Sequence, residues 1–503
     1  MRILHTSDWH LGRTFHGRVL DDAHAVFADH LVELARTEAV DAVVVSGDVY
    51  DRAIPPTDSV RLLDETLRRL SDITRVILTP GNHDSARRLG FASDLLREGL
   101  TIRARIADVD RPVIVPGPDG GDGLYVYALP YLDPDAARET LPPLLADRLG
   151  EEMADAARTA DPDADPDAAR TAPEGAGGHS EKAAGDPPGT ASDAATRRLP
   201  RSHEAVVSGA LRLVAADLAA RRTAAPARVP ALVMSHAFVV GGLPSEESER
   251  DIRVGGVDSV PSGVFASLGG SPSARECGGL DYVALGHLHR PQEIRSAGGA
   301  GRPNGPGKAS GTGGPDHSSR SGGTGGPEAG ESDGPGESGP PQRDSRPGPR
   351  LVYSGSPLAL SFSEAPFPKS SVLVALGPDG VASLERVPAP VPHRIETVTG
   401  TMDELLSPAW DHAAGAWVRA VVRGPMPLGA TSRLRERFGQ VLAIAREEDE
   451  EAPRERIVVT RAADPLEVSA QFLAEVAERA PSPAERAVLA RAYEAVLASY
   501  GSE

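Results

Sequence analysis

The stretch Arg2-Ile3-Leu4-His5-Thr6-Ser7-Asp8-Trp9-His10 joins a short apolar, strand-like run to a carboxylate and an imidazole. The same join recurs along the chain. Ala42–Val45 leads into Gly47-Asp48, Val76–Leu78 into Gly81-Asn82-His83-Asp84, Ala231–Met234 into Ser235-His236, and Tyr282–Leu285 into Gly286-His287-Leu288-His289. Continuous Val- and Ile-rich runs of this kind suit strands buried on both faces. Helical patterns separate several of them: Val26, Phe27, His30, Leu31 and Leu34 fall on one stripe, and Val60, Leu63, Leu67 and Leu70 on another. The pattern is α/β, and in open α/β sheets ligands collect at the carboxyl ends of strands. Asp8, Asp48 and Asn82 are spaced as successive strand–helix–strand units, so the motifs are expected to converge on one edge.

The converging side chains are of the kinds that hold divalent metals. Asp and His suit Mn²⁺, Fe²⁺ or Zn²⁺, and an oxygen-rich set with some imidazole favours Mn²⁺. There are enough ligands for two ions, which at about 3.5–4 Å apart can clamp both the attacking and the leaving oxygen of a phosphoryl displacement. Asp48 is the candidate for a carboxylate shared between them, one oxygen to each cation. Neutral Asn82 adds a ligand without further negative charge. His83 cannot easily point to the same ion as its neighbour Asn82. It is better placed as an acid that protonates or stabilises the leaving oxygen, with Asp84 orienting it.

Taken singly, each motif has a plainer use. An Asp-x-His is common in loops, Gly-Asp often begins a helix cap, and a lone His236 is more often a satisfied histidine near a sheet edge. His287 and His289 alternate and would face opposite sides of a straight strand, so the chain must bend there for both to reach metal. The order and phasing of the whole set make coincidence a poor account.

Bulk properties bound the rest. A chain of 503 residues should hold more than one domain. Cys277 is the only cysteine, which excludes an intramolecular disulfide and a thiolate zinc cluster and fits a reducing cytosol. The first motif is reached by Asp8, leaving no room for a signal peptide, and no apolar run has the length needed to span a bilayer. A cytoplasmic location is expected. The formal charge of −19 argues against a nucleic-acid partner, but much of the acid lies in linker-like sequence (Asp155, Asp161, Asp163, Asp165, Asp167) or in Glu447-Glu448-Asp449-Glu450-Glu451. Two divalent ions would also add about four positive charges where phosphate binds.

Residues 154–198 and 296–350 contain no Val, Ile, Leu, Met, Phe or Trp and no Tyr. They cannot bury enough apolar surface to offset ordering, and read as disordered insertions in loops of one domain spanning 1–390. A different alternation begins near Val391: strand Arg394–Val398, helix Met402–Leu406, strand Trp417–Val422, helix Ser432–Phe438 and strand Val441–Ala445. It suggests a small α/β domain over 391–460. Two helices over 461–503 close the chain. Their starts, Asp464-Pro465-Leu466-Glu467 and Ser482-Pro483-Ala484-Glu485, resemble capping boxes with Pro at the first helical position.

The motifs, in this order, resemble those of the calcineurin-like dimetal phosphoesterases. His5-Thr6-Ser7-Asp8-Trp9-His10-Leu11-Gly12-Arg13, Arg253-Val254-Gly255-Gly256 and Tyr353-Ser354-Gly355-Ser356-Pro357 are similar to the DNA-repair nucleases of that family. The resemblance implies a two-sheet sandwich flanked by helices (the metallophosphoesterase fold), a capping domain that helps place DNA, and C-terminal helices that dock on the coiled coil of an ATPase partner. It implies one metal held by Asp8, His10, Asp48 and His289, a second held by Asp48, Asn82, His236 and His287, and His83 as catalytic acid. It further implies a homodimer within a heterotetramer, with Mn²⁺-dependent exonuclease and endonuclease activity on DNA ends and hairpins. Arg13, His16 and Arg18 follow the first motif in a loop expected to face the cleft, and are candidate phosphate contacts. Such contacts would make binding salt-dependent and not sequence-specific. Two other readings compete: a phosphatase or phosphodiesterase acting on a small molecule or phosphoprotein, and a non-enzymatic scaffold.

Overall fold

A computed structural model describes residues 1–150, 198–245, 259–294, 348–447 and part of 481–489. Each apolar run that precedes a motif is a strand. β1 (Arg2–Thr6) is followed by a small hairpin, β2 (Thr14–Phe15) and β3 (Arg18–Val19), and then pairs in parallel with β4 (Ala42–Ser46). β5 (Arg75–Thr79) and β6 (Leu100–Ile102) continue that parallel sheet. A second sheet is built from β7 (Val113–Pro116), β8 (Asp122–Ala128), β9 (Ala231–His236), β10 (Tyr282–Gly286), β11 (Gln292–Ile294) and β12 (Arg350–Tyr353), in the order β11–β12–β10–β9–β8–β7. Its four central strands are parallel, with β7 and β11 antiparallel at the edges. The chain then returns to the first sheet, where β13 (Ser370–Gly377) lies antiparallel beside β1 and β14 (Gly380–Pro388) forms the edge.

Strand alternation explains why the runs are apolar throughout. In β4, Ala42 and Val44 pack between the sheets with Ile3, Ile77, Leu124, Met234 and Ala284. Val43 and Val45 point the other way, toward Phe27 and Leu31 of α1 (Asp21–Thr37) and Leu63 and Leu67 of α2 (Thr57–Ser71). The outer face of the second sheet is covered likewise by α3 (Pro134–Leu149) and α4 (His203–Ala224), through Leu141, Leu145, Val206 and Leu211. The molecule is thus a helix–sheet–sheet–helix sandwich, as expected. Each fully buried aliphatic side chain contributes roughly 1.5–3 kcal/mol. The helix stripes are narrower than their sequence pattern: Val26 and Val60 lie on exposed faces.

After β14 a separate three-stranded parallel sheet forms from β15 (Ile395–Gly400), β16 (Trp417–Val422) and β17 (Val441–Arg446). On one face Val398, Val418 and Ala420 meet Leu405 of α5 (Met402–Leu405) and Leu434 and Phe438 of α6 (Ala430–Phe438). On the other, Ile395, Trp417 and Leu442 pack against Phe15, Leu20, Leu358 and Phe362 of the sandwich.

The bulk of both expected insertions, most of the closing helices, and Arg253–Gly256 lie outside the described residues. The ends of the second insertion are placed. It leaves after Ile294 and returns before β12, whose Leu351 pairs with Ile294. That junction is at the amino-terminal end of β12, the sheet edge opposite the motifs. Among the described residues of 481–489, Ser482 and Glu485 form the expected capping box: Ser482 N donates to Glu485 Oε2 at 2.8 Å and Glu485 N to Ser482 Oγ at 3.3 Å.

Candidate dimetal site

Because β1, β4, β5, β9 and β10 run in one direction within their sheets, their carboxyl ends share an edge, and the five motifs meet there. The turns that deliver them are unusual. Asp8 (φ 54°), His10 (φ 48°), Asp48 (φ 48°) and His287 (φ 102°) all have left-handed backbone, a conformation costly to non-glycine residues and concentrated at functional sites. The bend expected at His287 is therefore present. Gly47 is also left-handed (φ 83°), and a Cβ there would lie 2.3 Å from His236 Nδ1. A Cβ on Gly81 would lie 2.2 Å from Asp48 Oδ1. These glycines let two loops close around the ligands.

Asp8, His10, Asp48, His83, His236, His287 and His289 are all buried, and Asn82 is half-buried. Asp48 is at the centre. Its Oδ1 accepts from His83 N at 2.9 Å, while its Oδ2 faces three imidazoles: His236 Nε2 at 3.4 Å, His10 Nε2 at 3.6 Å and His83 Nε2 at 4.0 Å. Asp8 accepts from Ser7 Oγ at 2.5 Å and from His287 N at 2.9 Å. Ser7 Oγ in turn lies 2.8 Å from Ser354 Oγ.

Hydrogen bonds on the far nitrogens set the rings. His236 Nδ1 donates to Ser46 O at 3.0 Å, His83 Nδ1 donates to Asp51 O at 2.8 Å, and His289 Nδ1 meets Glu364 Oε1 at 2.9 Å. Each leaves Nε2 pointing into the site, the usual way a protein presents an imidazole to metal. The inward atoms then match poorly with one another. His236 Nε2 faces Asn82 Oδ1 at 2.9 Å as well as Asp48 Oδ2, and His10 Nε2 faces His289 Nε2 at 3.1 Å. With Nδ1 already donating, the first arrangement needs a proton on Nε2 or a cation between nitrogen and oxygens. In the metal-free site it is the proton: burial opposes it, yet Asp48 and Asp8 raise the His236 pKa to about 9. Burial likewise opposes ionisation of Asp48, but His236, His10 and His83 hold it well below the usual carboxylate range. His287 is neutral, because burial and nearby His236 both disfavour its charge.

The donor set therefore fits divalent cations. Three groups bring ligand atoms within 4.8 Å of one another: Asp8, His10 and His289; Asp8, Asp48 and His236; and His10, Asp48 and His83. The first lies within one expected ligand set. The second brings Asp8 to the side of His236, where Asn82 also points and where His287 packs edge-on at 5.4 Å between ring centres. The orientation of His83 rests on a different contact from the one expected. Asp84 accepts from Gly81 N, Val49 N and Tyr50 N at 2.8–3.0 Å, pinning two loops together, while the group on His83 Nδ1 is the Asp51 carbonyl.

The candidate DNA contacts divide. Arg13 bonds Asp51 at 2.9 Å, and that carboxylate lies 3.6 Å from His10 Nδ1. His16 and Arg18 are exposed on the β2–β3 hairpin, His16 against Phe15 and Phe362. Sequence reading missed the supporting roles of Asp51 and Glu364. Asp51 stands three residues beyond Asp48, close enough to its motif to have been considered with it; Glu364 follows no local signal, since its partner His289 is far away in sequence.

Residues 1–136, which run from β1 to the first turn of α3 and hold five of the site residues from Asp8 to His83, match the family model described as calcineurin-like phosphoesterase. Over that span, which carries the first three motifs, the chain is similar to the calcineurin-like phosphoesterases. The chain is similar to proteins named as the SbcD component of the nuclease SbcCD: it is 33% identical to that of Rhodobacter capsulatus over 58% of its own length and 59% of the relative's. It is 29% identical to that of Bacillus subtilis over 77% and 69%, and 26% identical to that of Staphylococcus saprophyticus over 59% and 58%. For two of the three, the matched region spans less than two thirds of the relative. Among the described residues, no helix is long and apolar enough to cross a membrane.

Proposed function

We propose that this chain is a calcineurin-like, metal-dependent phosphoesterase and the nuclease component of an SbcC–SbcD-type complex. It cuts DNA phosphodiesters as an exonuclease on double-stranded ends and an endonuclease on single strands or hairpins, in repair and recombination. The observation that carries this reading is the ring of imidazoles around Asp48 Oδ2, in a chain whose relatives bear that name. In the proposed assignment Asp8, His10, Asp48 and His289 hold one ion, and Asp48, Asn82, His236 and His287 the other, with Mn²⁺ the favoured metal. When bound, two such ions activate water and neutralise charge on the phosphate oxygens. His83, anchored through Nδ1 to the Asp51 carbonyl, directs Nε2 toward the leaving oxygen as the acid. Asp84 holds the loops of Asp48 and His83 in register. The small sheet after β14 serves as the cap that places DNA, with Arg18, His16 and Arg13 on the adjoining hairpin side. An SbcC-type ATPase docks on the C-terminal helices, the nuclease is a homodimer within a heterotetramer, and it works in the cytoplasm.

The test is degradation of linear duplex and hairpin DNA by the full chain, with and without an SbcC-type ATPase, in Mn²⁺, Mg²⁺ and EDTA. Cleavage that needs metal and is lost in Asp48→Ala is expected. Turnover of a phenyl phosphoester with DNA left intact would move the reading to a small-molecule phosphatase.

A further inference from the structure

One charged cluster touches the site without belonging to its inner ring. Glu364 and Lys369 are buried together in the segment between β12 and β13. Glu364 Oε1 meets His289 Nδ1 at 2.9 Å; Oε2 bonds Lys369 Nζ and accepts from Leu360 N at 3.2 Å. Lys369 Nζ also donates to Ser356 Oγ at 2.8 Å and to the carbonyl of His289 itself at 3.0 Å. The three ammonium donors are thus all used, and one lysine grips His289 twice, through its backbone and through the carboxylate on its ring.

A buried ion pair is seldom the most stable filling for such a space, since desolvation offsets much of the attraction and apolar residues often serve as well. The contacts here converge on a single residue, which suggests what the pair is for. A carboxylate on Nδ1 fixes the imidazole tautomer and turns Nε2 inward, and Nε2 of His289 is the atom that faces His10 at 3.1 Å. We infer that Glu364 and Lys369 are positioning residues that hold His289 in its metal-binding tautomer and orientation. The inference rests on the two-metal reading above.

Mn²⁺ binding to the full-length chain, counted by titration calorimetry and followed by electron paramagnetic resonance, tests it. The wild type should take up two ions. Glu364→Gln should weaken one of them about 10- to 100-fold and leave the other and the melting temperature of the metal-free protein unchanged. In a His289→Ala background the same substitution should add nothing. Equal affinity for both ions in Glu364→Gln, or an additive loss in the double variant, would overturn the proposal. If Glu364→Gln melts early, Glu364→Gln with Lys369→Met removes both charges and should still lose one ion; two-ion binding by that chain would also overturn it. A wild type that binds fewer than two ions would instead count against the dimetal reading itself.

Discussion

Asp48 and His236 meet across the join between the two sheets, Oδ2 of one lying 3.4 Å from Nε2 of the other. Asp48 follows β4 in the first sheet and His236 ends β9 in the second, so neither sheet alone makes the contact. The pair has two aspects. Without metal it is an ion pair; a cation bound in the proposed site would displace the proton on His236.

That exchange has a pH signature. The His236 pKa in the folded, metal-free protein, about 9, exceeds the ordinary value near 6.5. The pair's stabilisation is therefore complete below about pH 6.5 and is lost as pH rises toward 9. Chelated protein should melt at lower temperature at pH 9 than at pH 6.5. Mn²⁺ binding at pH 7 should release a proton and tighten with pH. Calorimetry in buffers of different ionisation enthalpy measures that release; an enthalpy independent of buffer would contradict it.

His83→Gln should separate metal binding from hydrolysis. Its Nε2 is 4.0 Å from Asp48 Oδ2, the longest of the three imidazole approaches, and its assigned role is proton transfer. The variant is expected to keep two-ion uptake and to lose about 10²–10⁴ in cleavage rate. Loss of an ion in parallel with activity would make His83 a ligand.

Gly47→Ala should damage the site through the backbone. The left-handed φ and the Cβ placed 2.3 Å from His236 Nδ1 predict a cost of about 1–3 kcal/mol, seen as a lower melting temperature, with weakened Mn²⁺ binding. Unchanged binding would mean that the β4 loop relaxes independently of His236.

Trp417→Ala should loosen the small sheet from the sandwich. Trp417 packs with Phe15, which it meets at 5.6 Å between rings, and with Phe362. Truncating a buried Trp costs about 3–5 kcal/mol, and hydrogen exchange should show lost protection in β15 and β16 while two-ion uptake persists. Protection lost equally in β1 and β4 would show that the two parts unfold as one.

How much could be read in advance follows from which interactions are local. The five strands that precede motifs and the alternation after Val391 were legible, because apolar runs and their spacing report burial directly. That the candidate ligand residues would gather at one edge was legible because each follows its strand closely. β13 and β14 were missed, although β13 pairs with β1, since a strand's partner across the whole chain leaves no periodicity of its own. Val26 and Val60 show the converse: a pattern wide enough for a stripe does not say how much of it the sheet will cover.

By itself, then, the sequence determined which side chains stand at strand ends and that they carry metal-binding chemistry, since both are consequences of adjacency along the backbone. The tertiary structure decided which nitrogen of each histidine points inward, that Asp84 binds loops while the Asp51 carbonyl holds His83, and that Glu364 and Lys369 stand behind His289. Those choices depend on hydrogen-bond partners brought in from remote strands, and such pairings are settled only when the two sheets pack.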